Sequence, residues 1–294
     1  MRQLRMMAIF CFVLSAVTSI NAQGFFMNPI ARSESKKSPI DKIQFITQYE
    51  LVLIQDTLSP DKKVEETMVL QVGERTSMFY SYTKYKTDSL MRKQMAQSGG
   101  VINFETKMGD GGVPANPGRM SYHIFKNHPA GKVTTLDQVG MNQFRCEETN
   151  ECPEWEIVSD TMTILSYLCQ KATTRFKGRD FTAWFTPEIP RNEGPWKLCG
   201  LPGLILRAED SQQYFVFEAT GLFNAQPDEM IQYGADNHEP VSMQTLNRAY
   251  ERFATDPTGY ITSSTPNISI VTVGSDGKRT NPRNLPYNPI REPL

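Results

Sequence analysis

Three histidines, His123, His128 and His238, are the side chains best suited to proton transfer near neutral pH. One of them beside a hydroxyl, or beside a metal-bound water, would make a hydrolase. The spacing does not supply the rest of such a site. His238-Glu239 lacks the second histidine that a zinc-protease helix needs. The chain contains no Gly-x-Ser-x-Gly elbow. Gly109-Asp110-Gly111-Gly112 is too short, and of the wrong sequence, for a phosphate cradle. No catalytic residue, metal site or cofactor is therefore assigned. A hydrolase with an unrecognised active site stays as the alternative reading.

Sulfur is the second source of chemistry. Cys11 falls within an apolar leader, which leaves Cys146, Cys152, Cys169 and Cys199. An even count in an oxidising compartment suggests two disulfides, with three possible connectivities. The expected pairs are Cys146–Cys152, closing a polar loop, and Cys169–Cys199, tying a strand to a proline-glycine stretch. The other reading keeps Cys169 and Cys199 as buried thiols. The four cysteines form no CxxC pair, and the three histidines lie far from them in sequence, so zinc is not expected.

Binding chemistry is richer. Arg179, Trp184, Trp196 and Lys197 combine amphipathic aromatics with fixed charge. Exposed together, they could hold a protein, a peptide, a glycan or a lipid. The competing reading is structural. Tryptophans beside Gly-Pro turns commonly plug a core, and Glu188 is an available partner for Lys197.

The elements that position these residues converge on Gly194-Pro195-Trp196-Lys197-Leu198-Cys199-Gly200-Leu201-Pro202-Gly203-Leu204-Ile205-Leu206. Proline fixes φ and removes a donor, while glycine allows positive φ or close backbone approach. Gly200-Leu201-Pro202-Gly203-Leu204-Ile205 resembles the hallmark of the GLPGLI family of bacteroidete envelope proteins. The resemblance continues upstream through Tyr167-Leu168-Cys169-Gln170-Lys171-Ala172, Phe176-Lys177-Gly178-Arg179, Ala183-Trp184-Phe185-Thr186 and Ile189-Pro190. It covers roughly Trp155 to Asp210, with Tyr287-Asn288-Pro289-Ile290 as an echo in the tail. It implies an envelope location and carries no catalytic residues, since the family has no known function.

Alternation supplies the strands. Ile43–Ile54, Glu66–Val72 and Ser77–Tyr82 read as an antiparallel meander. Arg119–Phe125 and Lys132–Leu136 follow as short strands. Trp155–Val158 and Met162–Leu165 are expected to pair across Ser159-Asp160. Ser166–Thr174 and Arg179–Thr186 form a hairpin about Lys177-Gly178. Leu204–Ala208 and Gln213–Thr220 come next, and Ile268–Val273 is a late strand. Ser89–Ser98, capped by Asp88, and Val241–Ala254, stopped by Asp256-Pro257, read as helices.

Residues 1–22 read as a signal peptide, with Arg2 and Arg5, an apolar run from Met6 to Val17, and Ile20-Asn21-Ala22 at the cleavage site. That run is too short for a membrane span, and no later run in the mature chain reaches spanning length. Residues 23–41 read as a flexible arm, 42–273 as one domain containing the block 155–210, and 274–294 as an irregular tail. Formal net charge is −1, and removing Arg2 and Arg5 leaves −3. That balance argues against nucleic acid as a partner. Hydrophobic residues at 39% and charged residues at 21% suit a sizeable core.

The fold class expected is mainly β: antiparallel, an open curved sheet, half-barrel or sandwich, with one or two short helices. By analogy with envelope lipoprotein carriers, such a sheet would present an apolar concave face. The function expected is that of an exported, non-catalytic protein of the periplasm or cell surface. It would bind an envelope protein, a peptide or a lipid through a sheet surface.

Overall fold

β1 (Ser38–Ile54) is the longest strand, and the sheet grows outward from it on both sides. The computed structural model describes residues 36–97, 120–264, 272–273, 279–280, 284–285 and 287–290. The expected signal peptide and the Gly109-Asp110-Gly111-Gly112 run lie outside the described residues. On one side of β1 run β2 (Lys63–Gly73) and β3 (Ser77–Ser81), the meander expected from alternation. The turn between them is held by Asp41. Its carboxylate accepts from the backbone N–H of Arg75 and of Thr76, each at 2.8 Å. Burial pushes that carboxyl up, but these donors, with the N–H of Lys42, hold it below the usual range.

Helix α1 (Tyr82–Gln97) begins immediately after β3, six residues before the expected cap. The cap is Ser81, whose Oγ accepts from the N–H of Lys84 at 2.9 Å. Asp88 instead pairs with Lys84 one turn away. The sheet continues through β4 (His123–Lys126), β5 (Lys132–Val139) and β6 (Asn142–Thr149).

β7 (Glu156–Ile164), β8 (Tyr167–Phe176) and β9 (Arg179–Thr186) form the far end. The expected turn at Ser159-Asp160 lies inside β7, where the register slips between Ile157 and Thr161. The chain reverses at Leu165-Ser166 instead, with φ of 50° and 71°. That is the twist a two-residue hairpin needs. Leu165-Ser166 lacks the Asn, Asp or Gly that a positive-φ hairpin turn favours, whereas Ser159-Asp160 carries an Asp, and so alternation alone misplaces it.

β10 (Leu204–Asp210) and β11 (Phe215–Asn224) join this end to β1. β12 (Met230–Tyr233) pairs with the start of β1. This pairing draws Ser38 to Asp41 into the strand rather than leaving them in an arm. β13 (Glu239–Pro240) lies parallel to β6. Helix α2 (Met243–Thr255) is capped by Ser242, and Pro257 opens α3 (Pro257–Ser264). β14 (Thr272–Val273) and β15 (Arg279–Thr280) make a separate pair. The main sheet has 13 strands in the order β13-β6-β5-β4-β3-β2-β1-β11-β10-β9-β8-β7, with β12 off this path. It is an open, curved and mainly antiparallel sheet, as expected.

Ring contacts measure the curvature. Phe79 on β3 meets Phe217 on β11 with centroids 6.0 Å apart. Three strand spacings separate those strands, about 14 Å on a flat sheet. The sheet must curl for their side chains to touch. The resulting core holds Tyr49, Leu51, Leu53, Met68, Phe79, Phe185 and Phe217. It also takes in Trp196, Leu198, Leu201 and Leu204 from the hallmark stretch. The apolar face expected to be open is therefore filled by the chain's own residues. Two smaller cores sit elsewhere: one around Ile43, Phe125 and Ile231, the other beneath α2 and α3.

Candidate functional site

The hallmark stretch is a corner fastened from several sides. Lys126 on β4 is buried, and its Nζ donates to the carbonyls of Gly194 at 2.8 Å and Leu198 at 3.2 Å. Glu193 lies 2.5 Å from the same ammonium. Trp155 Nε1 donates to the Cys199 carbonyl, and Tyr49 OH to that of Ile205, each at 2.7 Å. A Cβ on Gly203 would sit on the Thr186 carbonyl, so only glycine fits there. Gly200 holds φ at +94°, and a Cβ on it would meet Cys152 at 2.9 Å.

Within this corner Trp196 is 2% exposed and packs against Phe176 and Phe181. Its φ of 53° is unusual for a bulky residue. Lys197 is 7% exposed and paired with Glu148 on β6, not with Glu188. Burial raises the Glu148 carboxyl, but Lys197 and Lys177 beside it hold it below its ordinary range. Glu188 instead accepts from the N–H of Leu168.

Arg179 is a clamp. It donates to Asp210 at 2.7 Å, to Asn288 Oδ1 at 2.8 Å and to the Pro289 carbonyl at 2.7 Å. Its guanidinium lies 4.9 Å from the Phe215 ring centre. Asn288 also donates to the Ile54 carbonyl, and Ile290 enters the main core. The tail residues Tyr287 to Ile290 thus belong to the packed structure.

Residues 176–207 match a family model described as "Protein of unknown function (Porph_ging)", a Bacteroidete-associated domain that covers part of the chain. No curated protein matches. Among solved structures, PNGF-II in its P21 and C2 crystal forms is similar, with TM-scores of 0.48 and 0.47 and 13% identity in each case. Each similarity covers 72% of this chain, and 34% and 33% of those chains respectively. This chain thus corresponds to about a third of the length of those structures. The family match runs from the turn before Arg179 to the strand after the corner, the span with the most demanding backbone.

Sulfur connects differently from expectation. Cys152 bonds to Cys199, with Cα atoms 5.2 Å apart. Cys146 and Cys169 remain thiols, both buried. The expected pairs Cys146–Cys152 and Cys169–Cys199 fail because Cys152 and Cys199 take each other, and the two thiols left over face different cores. Cys146 points into the one under α2, and Cys169 into the main one. Burial pushes the Cys169 thiol up to about 11.

The four expected binding side chains therefore do not form one surface. Trp196 and Lys197 are buried. Arg179 has the strand parity of Phe181, Ala183 and Phe185, which are in the core, and Trp184 has the opposite parity. Trp184 instead joins a row that sequence reasoning missed. Lys171, Trp184, Arg207, Glu218 and Glu50 sit opposite one another across β8, β9, β10, β11 and β1. Lys171 reaches over the Trp184 ring at 5.7 Å and pairs with Asp160 at 3.2 Å. Arg207 bridges Glu209 at 2.7 Å and Glu218 at 2.6 Å. Burial lowers the pKa of that guanidinium, but the two carboxylates more than offset it and raise it. Glu50 and Glu218 are like charges directly opposite, an arrangement that weakens a sheet on its own. Alternation marked these positions as outward. Only the register places them in line.

The histidines serve other surroundings. His123 stacks on Tyr80 at 5.6 Å with the planes 3° apart, and burial lowers it to about 4. His128 packs edge-on against Tyr233 at 4.5 Å, and burial lowers it too. His238 lines an open pocket of about 410 Å³ with Lys36, Arg145, Tyr233 and Asp236. Among the described residues no group of three or more His, Cys, Asp or Glu side chains could hold a metal. A more apolar cavity lined by Leu53, Met120, Tyr122, Tyr250 and Ile290 holds about 90 Å³. Small-molecule sites start at about 300 Å³.

Proposed function

We propose that this protein is an exported, non-catalytic envelope protein of the GLPGLI type. In this reading it binds a protein or peptide partner across the uncovered sheet face at Trp184, in the periplasm or at the cell surface. The observation that carries the reading is the row Lys171–Trp184–Arg207–Glu218–Glu50, a half-buried aromatic flanked by charges that run out to exposed Glu218 and Glu50. Such mixed aromatic and charged patches suit a protein partner. The filled core face and the 90 Å³ cavity favour a protein or peptide over a lipid. The Cys152–Cys199 bond and the leader-like start suit an oxidising compartment outside the cytoplasm.

Site-specific photocrosslinking in the native envelope tests it. A crosslinking residue at position 184 or 218 should give one adduct of defined mass. The same residue at exposed Lys132 on β5, four strands away from β1 in the sheet, should give none. Absence of any adduct from both row positions, with the protein folded, rules the reading out.

A further inference from the structure

The two ends of the main sheet are finished differently. β13 lies along β6, pairing Glu239 with Phe144 and Pro240 with Arg145, and proline there stops further pairing. At the other end β7 pairs only with β8 among the described residues. Glu156, Ile157, Ser159, Asp160, Thr161 and Thr163 are all exposed.

The hairpin fixes which backbone groups look outward. Ile164 and Tyr167 close the two-residue turn, so they exchange hydrogen bonds with each other. Pairs alternate in an antiparallel ladder, so Met162 and Cys169 bond next. Thr161 and Thr163 therefore direct N–H and C=O away from β8, toward whatever lies beside the sheet. Both are β-branched, which favours extended backbone.

Charge then selects the neighbour. From Glu147 to Gln170 the sequence carries six carboxylates and no Lys, Arg or His. Glu148 is spent on Lys197 and Lys177, but Glu151, Glu154, Glu156 and Asp160 are exposed. Glu154 and Glu156 line a groove of about 430 Å³ along the sheet, where Arg175 is already held by Asp180 at 3.0 Å. Ile157, Leu165 and Leu168 add apolar side chains at 44%, 37% and 58% exposure. Two copies meeting at this edge would set acid against acid, which disfavours self-pairing.

We infer that the free edge of β7 accepts an extended, basic and apolar segment of a partner protein as an added strand. Main-chain bonds form at Thr161 and Thr163, and lysine or arginine side chains reach Glu154 and Glu156. This mode of recognition draws affinity from backbone bonds and specificity from alternate side chains. It deepens the proposed binding role by naming the partner's chemistry, and it rests on that role.

The test uses the full mature chain and the synthetic peptide acetyl-Lys-Val-Lys-Val-Arg-Val-Thr-amide. Amide hydrogen exchange should show Thr161 and Thr163 protected at least tenfold on binding. The Glu154→Lys, Glu156→Lys double variant, altered only at exposed positions, should bind at least tenfold more weakly. N-methylation of alternate peptide amides should abolish binding, because it removes the strand bonds and keeps the charge. Equal binding of the methylated peptide, unchanged exchange at both threonines, or dimerisation through β7 overturns the inference. A Trp184→Ala variant should bind the peptide normally while losing the envelope adduct, so failure of the edge and failure of the face are read separately.

Discussion

The corner at 194–206 and the hairpin at 156–168 lie in the same stretch of sequence and behave as opposites. In the corner Trp196, Leu198, Leu201, Leu204, Ile205 and Leu206 are nearly inaccessible, and the carbonyls of Gly194, Leu198, Cys199 and Ile205 are each captured by a distant side chain. In the hairpin Ile157, Leu165 and Leu168 face water, and its outer backbone faces no neighbouring strand among the described residues. The family match, 176–207, contains the first and omits the second. A shared sequence signature here marks what the backbone demands. The proposed strand-accepting edge lies outside that signature, whereas Trp184 and Arg207 of the proposed face lie within it.

Substitutions can break or sharpen that contrast. Gly203→Ala should be the most damaging, since its methyl collides with the Thr186 carbonyl and backbone must move. We expect a loss above about 4 kcal/mol, seen as failure to fold or a collapsed urea midpoint. Lys126→Met should cost about 3–4 kcal/mol by leaving Glu193 and two loop carbonyls without their buried cation. Reducing Cys152–Cys199, which closes a separation of 47 residues, should cost about 2–4 kcal/mol, measured by melting with and without reductant.

His123 supplies a pH test of the sheet near β4. The unfolded histidine binds its proton near 6.5 and the folded one near 4, so between those values the unfolded state holds more protons. Stability is complete above about 6.5 and falls as the pH drops toward about 4. The full shift is worth about 3 kcal/mol, and the ring's partial exposure reduces the expected loss to about 2 kcal/mol. His123→Phe should flatten that slope in equilibrium unfolding. At the small end, Leu168→Ser in the hairpin should change stability by less than about 0.5 kcal/mol. A large loss there would show that the hairpin is structural after all.

Legibility in the sequence follows the same divide. Alternation located β1, β2 and β9 because each buries one face, and the crowding of proline, glycine and leucine marked the corner as a packed path. The turn at Leu165-Ser166 was hidden because neither residue favours the positive φ that it adopts, so β7 was split in two. Cysteine pairing was hidden because the partner of Cys199 is decided by how the 150–155 loop folds over the corner. Arg179 read as a binding group because two of its three acceptors, Asn288 and Pro289, arrive from more than a hundred residues away. The Trp184 row needed the register of five strands at once.

β1 lies between β2, the next strand in the chain, and β11, whose Thr220 bonds to Gln48 from 172 residues away. Until that later segment has been made, one long flank of the central strand has no mate and its large side chains no lid. A chain crossing a membrane in the export expected of it would stay loose and threadable for most of its passage. The same delay would oblige the receiving compartment to shield a sticky, half-made sheet before the last ribs fall into place.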